Sequence, residues 1–261
     1  MRTSTNIGIA LIAVFLVVGS SISRAADPSA REIATRLDSI KDTIAAELTT
    51  RLSTNVVRGS YTTVWRQFED LAIEALKEIL PRHIPELGAK NFDAGQTGRE
   101  KNRPADFAIL CGTNVIEVSI KAARGTENPE NDMGTFRDHP NREKLFVASF
   151  TLWVRYEDSG GTLRAGRVFF DRTWRFVGKS TLVDGVKYRK KDGNMRPKPW
   201  ALFDSGKSYW RSEEEFELAV KRSETYRANE LVKEYLTDLS EDDQKLLHDR
   251  LHEKFDAPPR P

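Results

Sequence analysis

Apolar residues recur every three or four positions in two stretches of the first third of the chain, which is the spacing of one face of an α-helix. The stretches are 27–52 and 62–80, and Pro81 and Pro85 are expected to end the second. The sequence therefore predicts two amphipathic helices before any strand. Their apolar positions are Ile33, Leu37, Ile40, Ile44 and Leu48, then Phe68, Leu71, Ala72, Ala75, Leu76 and Ile79.

The pattern changes after the polar stretch 93–104. Short segments rich in β-branched and aromatic residues follow, and Asp192-Gly193 is typical of a two-residue hairpin turn. From Ser212 to about residue 256 the chain is acidic with helical spacing. Helices, then strands, then helices predict a single α/β domain over 26–261. The predicted strands are 106–110, 115–122, 145–156 and 167–170.

Composition narrows the function classes. The 261 residues are 39% hydrophobic and 31% charged, as in an ordinary globular protein. A single cysteine, Cys111, excludes an internal disulfide framework and a multi-thiolate zinc site within one chain. The net charge is only +2, so any argument for nucleic-acid binding has to rest on where the charges lie.

Residues 1–25 resemble a secretory signal. Arg2 precedes an apolar run, 7–18, and Ser23-Arg24-Ala25 has the small-x-small form of a cleavage site. The run is shorter than the ~20 residues that a membrane span needs, so no stable membrane association is expected once a signal is removed. The segment could instead be an uncleaved anchor or an artefact of the assigned start. The localisation stays open, because this segment favours export whereas the chemistry of the candidate site favours the cytoplasm.

Three polar side chains share one face of the strand predicted at 115–122. Because side chains alternate along a strand, Glu117, Ser119 and Lys121 point one way. Asp106 begins the preceding strand, where a hairpin would place a second carboxylate beside the first. The opposite face of the later strand carries Ile116, Val118 and Ile120.

Two carboxylates and a lysine suit metal-assisted hydrolysis of a phosphodiester. Carboxylate, phosphate and water oxygens are the ligands that Mg²⁺ prefers, and the ion lowers the pKa of a bound water. A lysine can orient that water or offset charge growing on the phosphate. The alternative is a salt-bridge ladder between Glu117 and Lys121 on a solvated sheet face.

The segment 62–125 resembles the active-site region of the PD-(D/E)xK nucleases, which include most type II restriction endonucleases. Asp106 corresponds to the family's first acid, although Ala105 separates it from the proline, and Lys121 corresponds to its lysine. Ser119 stands where the family usually has its second acid. Glu117 is the first choice to replace that acid, and the reserves are Glu69, Glu74, Glu130 and Asp132.

The resemblance implies a mixed central sheet flanked by helices, as in restriction endonucleases. It also implies a Mg²⁺-dependent type II enzyme of a restriction system that cuts double-stranded DNA as a homodimer. Asp106 and Glu117, with Glu69 in reserve, would bind the metal, Lys121 would serve the water, and Ser119 would line the site. Open alternatives are a repair nuclease or exported toxin nuclease of the same fold, and an exported binding protein without catalysis.

A basic segment, 187–200, surrounds the predicted Asp192-Gly193 turn. Such a hairpin could enter the major groove of DNA, with some side chains reading bases and others contacting phosphates. The alternative is a solvated basic loop, which is what a charge run usually means. The candidate base readers are Asn194 and Arg196, and the remaining DNA-binding candidates are Lys187, Arg189, Lys190, Lys191 and Lys198.

Overall fold

The structure, a computed structural model, describes residues 28–58, 61–94, 106–134 and 146–246. The signal-like segment 1–25 and the last residues of the predicted C-terminal helical part lie outside these ranges. Within them, no helix has both the length and the apolar character needed to cross a membrane.

Both predicted N-terminal helices are present. Helix α1 spans Pro28–Ser53 and helix α2 spans Tyr61–His83. The expectation that Pro81 ends α2 is wrong, since the helix continues through it and the Ile84 amide donates to the Leu80 carbonyl at 2.8 Å. Proline is tolerated there because it lies in the last turn, where the loss of one hydrogen bond interrupts little helix.

The described residues form a mixed sheet of six strands in the order β1-β6-β5-β4-β3-β2. Strands β4 and β5 are parallel, and the other neighbouring pairs are antiparallel. The expected mixed central sheet is therefore confirmed. The strands are β1 Val57–Arg58, β2 Phe92–Asp93, β3 Phe107–Cys111, β4 Asn114–Arg124, β5 Phe146–Ser159 and β6 Thr162–Arg172.

Strand β6 is much longer than the predicted 167–170. It begins at Thr162, directly after a tight turn in which Gly160 and Gly161 have φ angles of 64° and 81°. Two consecutive residues at positive φ form the hairpin turn that suits strand twist. The first half of β6 buries only Leu163 and Ala165, so its apolar alternation is too weak to detect in the sequence.

Apolar cores cover both faces of the sheet. On one face, Ile116, Val118 and Ile120 pack beneath α1 and α2, as the alternation predicted. On the other, Trp153 and Phe169 pack against the C-terminal third of the chain. That third contains helices α3, Trp200–Asp204, and α4, Glu213–Thr237, and the chain is helical again over 241–246.

Helix α4 begins at a capped end and contacts a glycine. The Glu215 amide donates to the Ser212 hydroxyl at 3.3 Å, which satisfies one of the free N–H groups of the first turn. Further along, a Cβ atom at Gly185 would lie 2.2 Å from the Ser223 hydroxyl oxygen and 2.8 Å from the Ala219 carbonyl oxygen. Only glycine allows this close approach of the loop to α4.

We expect Gly185→Ala to lower the free energy of unfolding by about 1–3 kcal/mol, because overpacking forces α4 away from the second core. Urea unfolding followed by circular dichroism measures the loss. The matched control is Gly88→Ala, where an added Cβ meets nothing within 4 Å. Equal stability of the two variants would contradict the close packing of α4 against Gly185.

Candidate active site

The register of β3 and β4 places Asp106 beside Ser119. Phe107 pairs with Val118 and Ala108 with Glu117, so Asp106, directly before β3, lies opposite Ser119. The Asp106 carboxylate oxygen Oδ2 accepts hydrogen bonds from the Ile120 amide at 2.6 Å and from the Ser119 hydroxyl at 3.1 Å. Ser119 therefore holds the aspartate in place.

Lys121 lies on the same side of the sheet as Asp106. Its Nζ atom is 3.7 Å from Asp106 Oδ2, and the two side chains are 24% and 29% exposed. The ammonium and the carboxylate thus form an ion pair that solvent can reach. This is the proximity that a shared role in hydrolysis requires.

Helix α2 contributes a third ionisable group, Glu69, near the ion pair of Asp106 and Lys121. Its side chain is buried, with 6% exposure. Burial, and then the negative charge of Asp106, raise the pKa of Glu69 to about 7, while the charge of Lys121 acts in the opposite direction. The carboxylates of Glu69 and Asp106 therefore lie within electrostatic reach of each other and of Lys121.

Glu117 is buried more deeply, at 1% exposure. Its Oε2 atom accepts a long hydrogen bond, 3.4 Å, from the Ser149 hydroxyl of β5. The Thr173 hydroxyl is 2.8 Å from that of Ser149 and 2.9 Å from that of Thr151. Because Glu117 is buried, its carboxylate does not lie on a solvated sheet face.

The hydroxyls of Ser149, Thr151 and Thr173 were not predicted from the sequence. Ser149 and Thr151 alternate along β5 and pair in register with Glu117 and Ser119. Polar residues at alternate positions of a central strand were the available signal. That signal does not indicate which residues the hydroxyls lie beside until the parallel pairing of β4 with β5 is known.

The donor atoms at this site fit a hard cation. Asp106 and Glu69 offer carboxylate oxygens, which Mg²⁺ prefers, and in the described part of the chain both hydrogen bonds to Asp106 use Oδ2, leaving Oδ1. Among the described residues, no three His, Cys, Asp or Glu side chains are grouped to hold a metal ion. Mg²⁺ usually keeps several water ligands and also binds substrate phosphates, so two carboxylates are compatible with such a site.

Two of the other reserve acids, Glu74 and Asp132, form ion pairs elsewhere in the chain. Glu74 is exposed and forms an ion pair with Lys77 on its own helix. Asp132 forms ion pairs with Arg189 and Arg196. The backbone carbonyl of Glu130 accepts a hydrogen bond from Arg196, which ties that segment to the C-terminal third of the chain.

Comparison with solved structures bears on the fold. The chain matches the NlaIV restriction endonuclease with a TM-score of 0.50 and 14% sequence identity, over 69% of this chain and 77% of that chain. The chain has a restriction-endonuclease-like fold. No protein-family model and no curated protein matches it.

The basic segment forms an irregular hairpin. The Arg189 amide donates to the Asn194 carbonyl, which leaves a loop of four residues, 190–193, instead of the predicted two-residue turn. Gly193 takes a φ of 72°, and the Asp192 carboxylate accepts from the Asn194 amide at 3.1 Å. The aspartate's own hydrogen bonds thus widen the turn.

Acids of this same chain pair with much of the segment's charge. Arg189 forms ion pairs with Asp192 and Asp132, and Lys190 forms one with Glu234. Arg196 also binds Asp132, and the Asn194 amide group donates to that carboxylate at 3.2 Å. Lys187 and Lys191 are exposed. The segment is therefore far less positive than its sequence suggests.

Lys198 does not fit the predicted phosphate contact. It is 2% exposed, its Nζ donates to the Lys207 carbonyl at 2.6 Å, and it lies 5.2 Å and 5.1 Å from the ring centroids of Phe176 and Phe203. Burial, and then the charge of Arg175, lower the pKa of Lys198 to about 8. Its side chain packs against aromatic rings of the second core and is almost fully buried, which does not suit a contact with a phosphate on the protein surface.

We expect Lys198→Met to raise the free energy of unfolding near neutral pH by about 1 kcal/mol, because removing a buried charge outweighs losing one hydrogen bond. The folded pKa, about 8, lies below the ordinary value of 10.5, so the folded parent binds fewer protons than the unfolded chain between these values. Parental stability therefore rises with pH through this window, and the variant's advantage shrinks.

Urea unfolding at about pH 7 and about pH 9.5 measures this advantage. Lys207→Met, which keeps the backbone carbonyl that accepts the bond, is the control. An advantage that does not depend on pH would show that Lys198 has an ordinary pKa.

Proposed function

We propose that this protein is a magnesium-dependent endodeoxyribonuclease that hydrolyses phosphodiester bonds of double-stranded DNA at a specific sequence, as type II restriction endonucleases do. The observation that carries the proposal is the ion pair of Asp106 with Lys121 on one strand pair of a restriction-endonuclease-like fold, with the buried Glu69 carboxyl within electrostatic reach of both. Fold alone does not determine an activity, so the argument rests on this site.

Each residue has a role in the proposal that follows from its position. Asp106 is fixed by the Ile120 amide and the Ser119 hydroxyl, so it presents its carboxylate in one orientation. Glu69 supplies the second acid, because Ser119 occupies the position where the family usually has that acid. Lys121, whose ammonium is partly exposed, orients the attacking water and offsets charge on the phosphate.

Magnesium, when bound by Asp106 and Glu69, supplies Lewis-acid polarisation of the scissile phosphate and a more acidic water. Burial and a neighbouring negative charge both disfavour an ionised Glu69 in the absence of a cation. Asp106 and Glu69 would hold a divalent cation, whose positive charge would offset that cost. The electrostatics of the pair therefore favour cation binding.

The proposal includes a homodimer, because cutting both strands of a duplex at a symmetric sequence requires two related sites.

Glu117 has a supporting role in the proposed site. Its carboxylate is buried and accepts a hydrogen bond from the Ser149 hydroxyl, so it contacts the neighbouring strand and is not part of the accessible pair of Asp106 and Lys121.

We expect Asp106→Asn and Lys121→Ala each to reduce DNA cleavage by at least about 10²-fold, because each removes a group that acts on the phosphate or the water. Plasmid digestion with magnesium, followed by mapping of the cut ends, measures rate and specificity together. Lys77→Ala is the matched control, since this lysine pairs with Glu74 on the exposed face of α2. Full cleavage by both site variants would exclude the proposed site, and scattered cut ends would exclude sequence specificity.

A second comparison decides which glutamate binds the metal. We expect Glu69→Gln to weaken binding of Mn²⁺, used as a probe for Mg²⁺, by about 10-fold or more, because a neutral amide oxygen is a poorer ligand for a hard cation. Glu117→Gln keeps a similar shape at the neighbouring buried position. Calorimetric titration of both variants checks this, and weaker Mn²⁺ binding in Glu117→Gln alone would assign the metal to Glu117 instead.

A further inference from the structure

Helix α2 carries a tryptophan on its buried stripe that is not itself buried. Trp65 precedes Ala72 by two helical turns and Ile79 by four, so the three side chains share one face of the helix. Ala72 and Ile79 are 0% and 1% exposed, whereas Trp65 is 42% exposed. The inward face of α2 thus extends past the core and ends in an accessible indole.

This indole lies about one helical turn from the acid that α2 contributes to the candidate active site. Glu69 follows Trp65 by four residues, which separates the two by ~6 Å along the helix axis and places them on neighbouring positions of the helix surface. Glu69 is the α2 residue whose carboxyl is influenced by Asp106 and Lys121. A strand whose phosphate lies at Asp106 and Lys121 would therefore have its neighbouring nucleotide within reach of Trp65.

Arg66 adds a positive charge at the same place. The centre of its guanidinium lies 5.1 Å from the centroid of the Trp65 ring, in a cation–π arrangement. The charge of Arg66 also acts on Glu69, so the guanidinium is within electrostatic reach of the site. We call the exposed pair of Trp65 and Arg66 the ledge.

The chemistry of the ledge suits a nucleotide. An aromatic ring can stack on any base, because every base has a π-face, and an arginine can stack on the base or bind its phosphate. A paired base inside a duplex is already stacked on its neighbours. A ledge of this kind therefore selects a base that has left the stack, at a cost that is least for a mismatched or unpaired nucleotide.

We propose that the ledge binds an unstacked base of the cleaved strand next to the scissile phosphate, with Trp65 stacking on the base and Arg66 contacting its phosphate. This inference rests on the proposed function and refines its substrate: a duplex in which one nucleotide at the cut position is unpaired or flipped out. Trp65 and Arg66 are binding residues that position the strand, and bond cleavage stays with Asp106, Lys121 and Glu69.

Binding can be measured without cleavage by using Asp106→Asn in the absence of metal. We expect Trp65→Ala on this background to bind a duplex with one unpaired base about 10-fold more weakly, the loss expected for one stacked base. Affinity for the fully paired duplex should fall much less. Trp65→Phe should recover most of the affinity, since a phenyl ring also stacks. Arg66→Ala should lower the salt slope of binding by about one.

Tyr235→Ala is the matched control, because Tyr235 is an aromatic residue with 65% exposure on α4, outside the site. Urea unfolding of Trp65→Ala checks that the fold persists. Iodide quenching of tryptophan fluorescence gives an independent measurement. Trp153, Trp200 and Trp210 are buried and Trp174 is partly buried, so the shielding of Trp65 by DNA is taken as the difference between the parent and Trp65→Phe.

Unchanged affinity of Trp65→Ala for the unpaired-base duplex would overturn the inference. Shielding of Trp65 that depends on protein concentration and not on DNA would overturn it too, and would assign the ledge to a protein interface, where exposed Trp and Arg are also common. Failure of the proposed function is separate: the parent protein would then not cleave DNA with magnesium, whatever the binding of Asp106→Asn shows.

Discussion

The candidate site depends on the bond between the Asp106 carboxylate and the Ile120 amide. At 2.6 Å, with the Ser119 hydroxyl on the same oxygen, this bond fixes Asp106 against the middle of β4. A charge-assisted hydrogen bond of this kind is stronger than a neutral one. Because Asp106 lies outside the ladder of β3, this side-chain contact continues the strand pairing where the backbone pairs end. Lys121 is then brought near the carboxylate by the register alone.

The two faces of β4 explain why such a site can exist inside a stable sheet. Ile116, Val118 and Ile120 secure the strand to α1 and α2, so the other face can carry polar groups. Burying Glu117 costs free energy unless the carboxylate is hydrogen-bonded. The hydroxyls of Ser149, Thr151 and Thr173 make that face polar and so reduce the cost. The active face is therefore stabilised by the apolar face behind it and by the neighbouring strand.

Sequence reasoning predicted what alternation and helical spacing encode. It gave α1, α2, the β3–β4 hairpin and the shared face of Asp106, Ser119 and Lys121, because these depend on neighbours in the chain. It ranked Glu117 above Glu69 because Glu117 is close in sequence. The proximity of Glu69 to Asp106 depends on how α2 packs across the sheet, which no local pattern contains. The hydroxyls of β5 were missed for the same reason, since they depend on a parallel pairing between distant segments.

The basic segment shows a second limit of sequence reasoning. Its charges are dense in sequence, but the acids that pair with them lie at Asp132 and Glu234, far along the chain in both directions. The segment is held against α4 and the residues after β4 by these pairs, and Lys198 is buried in the second core. An ion pair within the chain has to be broken before its arginine can contact a phosphate, so paired charges contribute less to DNA binding than unpaired ones. Under the proposed function, attraction for a polyanion then depends more on exposed basic side chains such as Lys187 and Lys191 of this segment and Arg66 of α2.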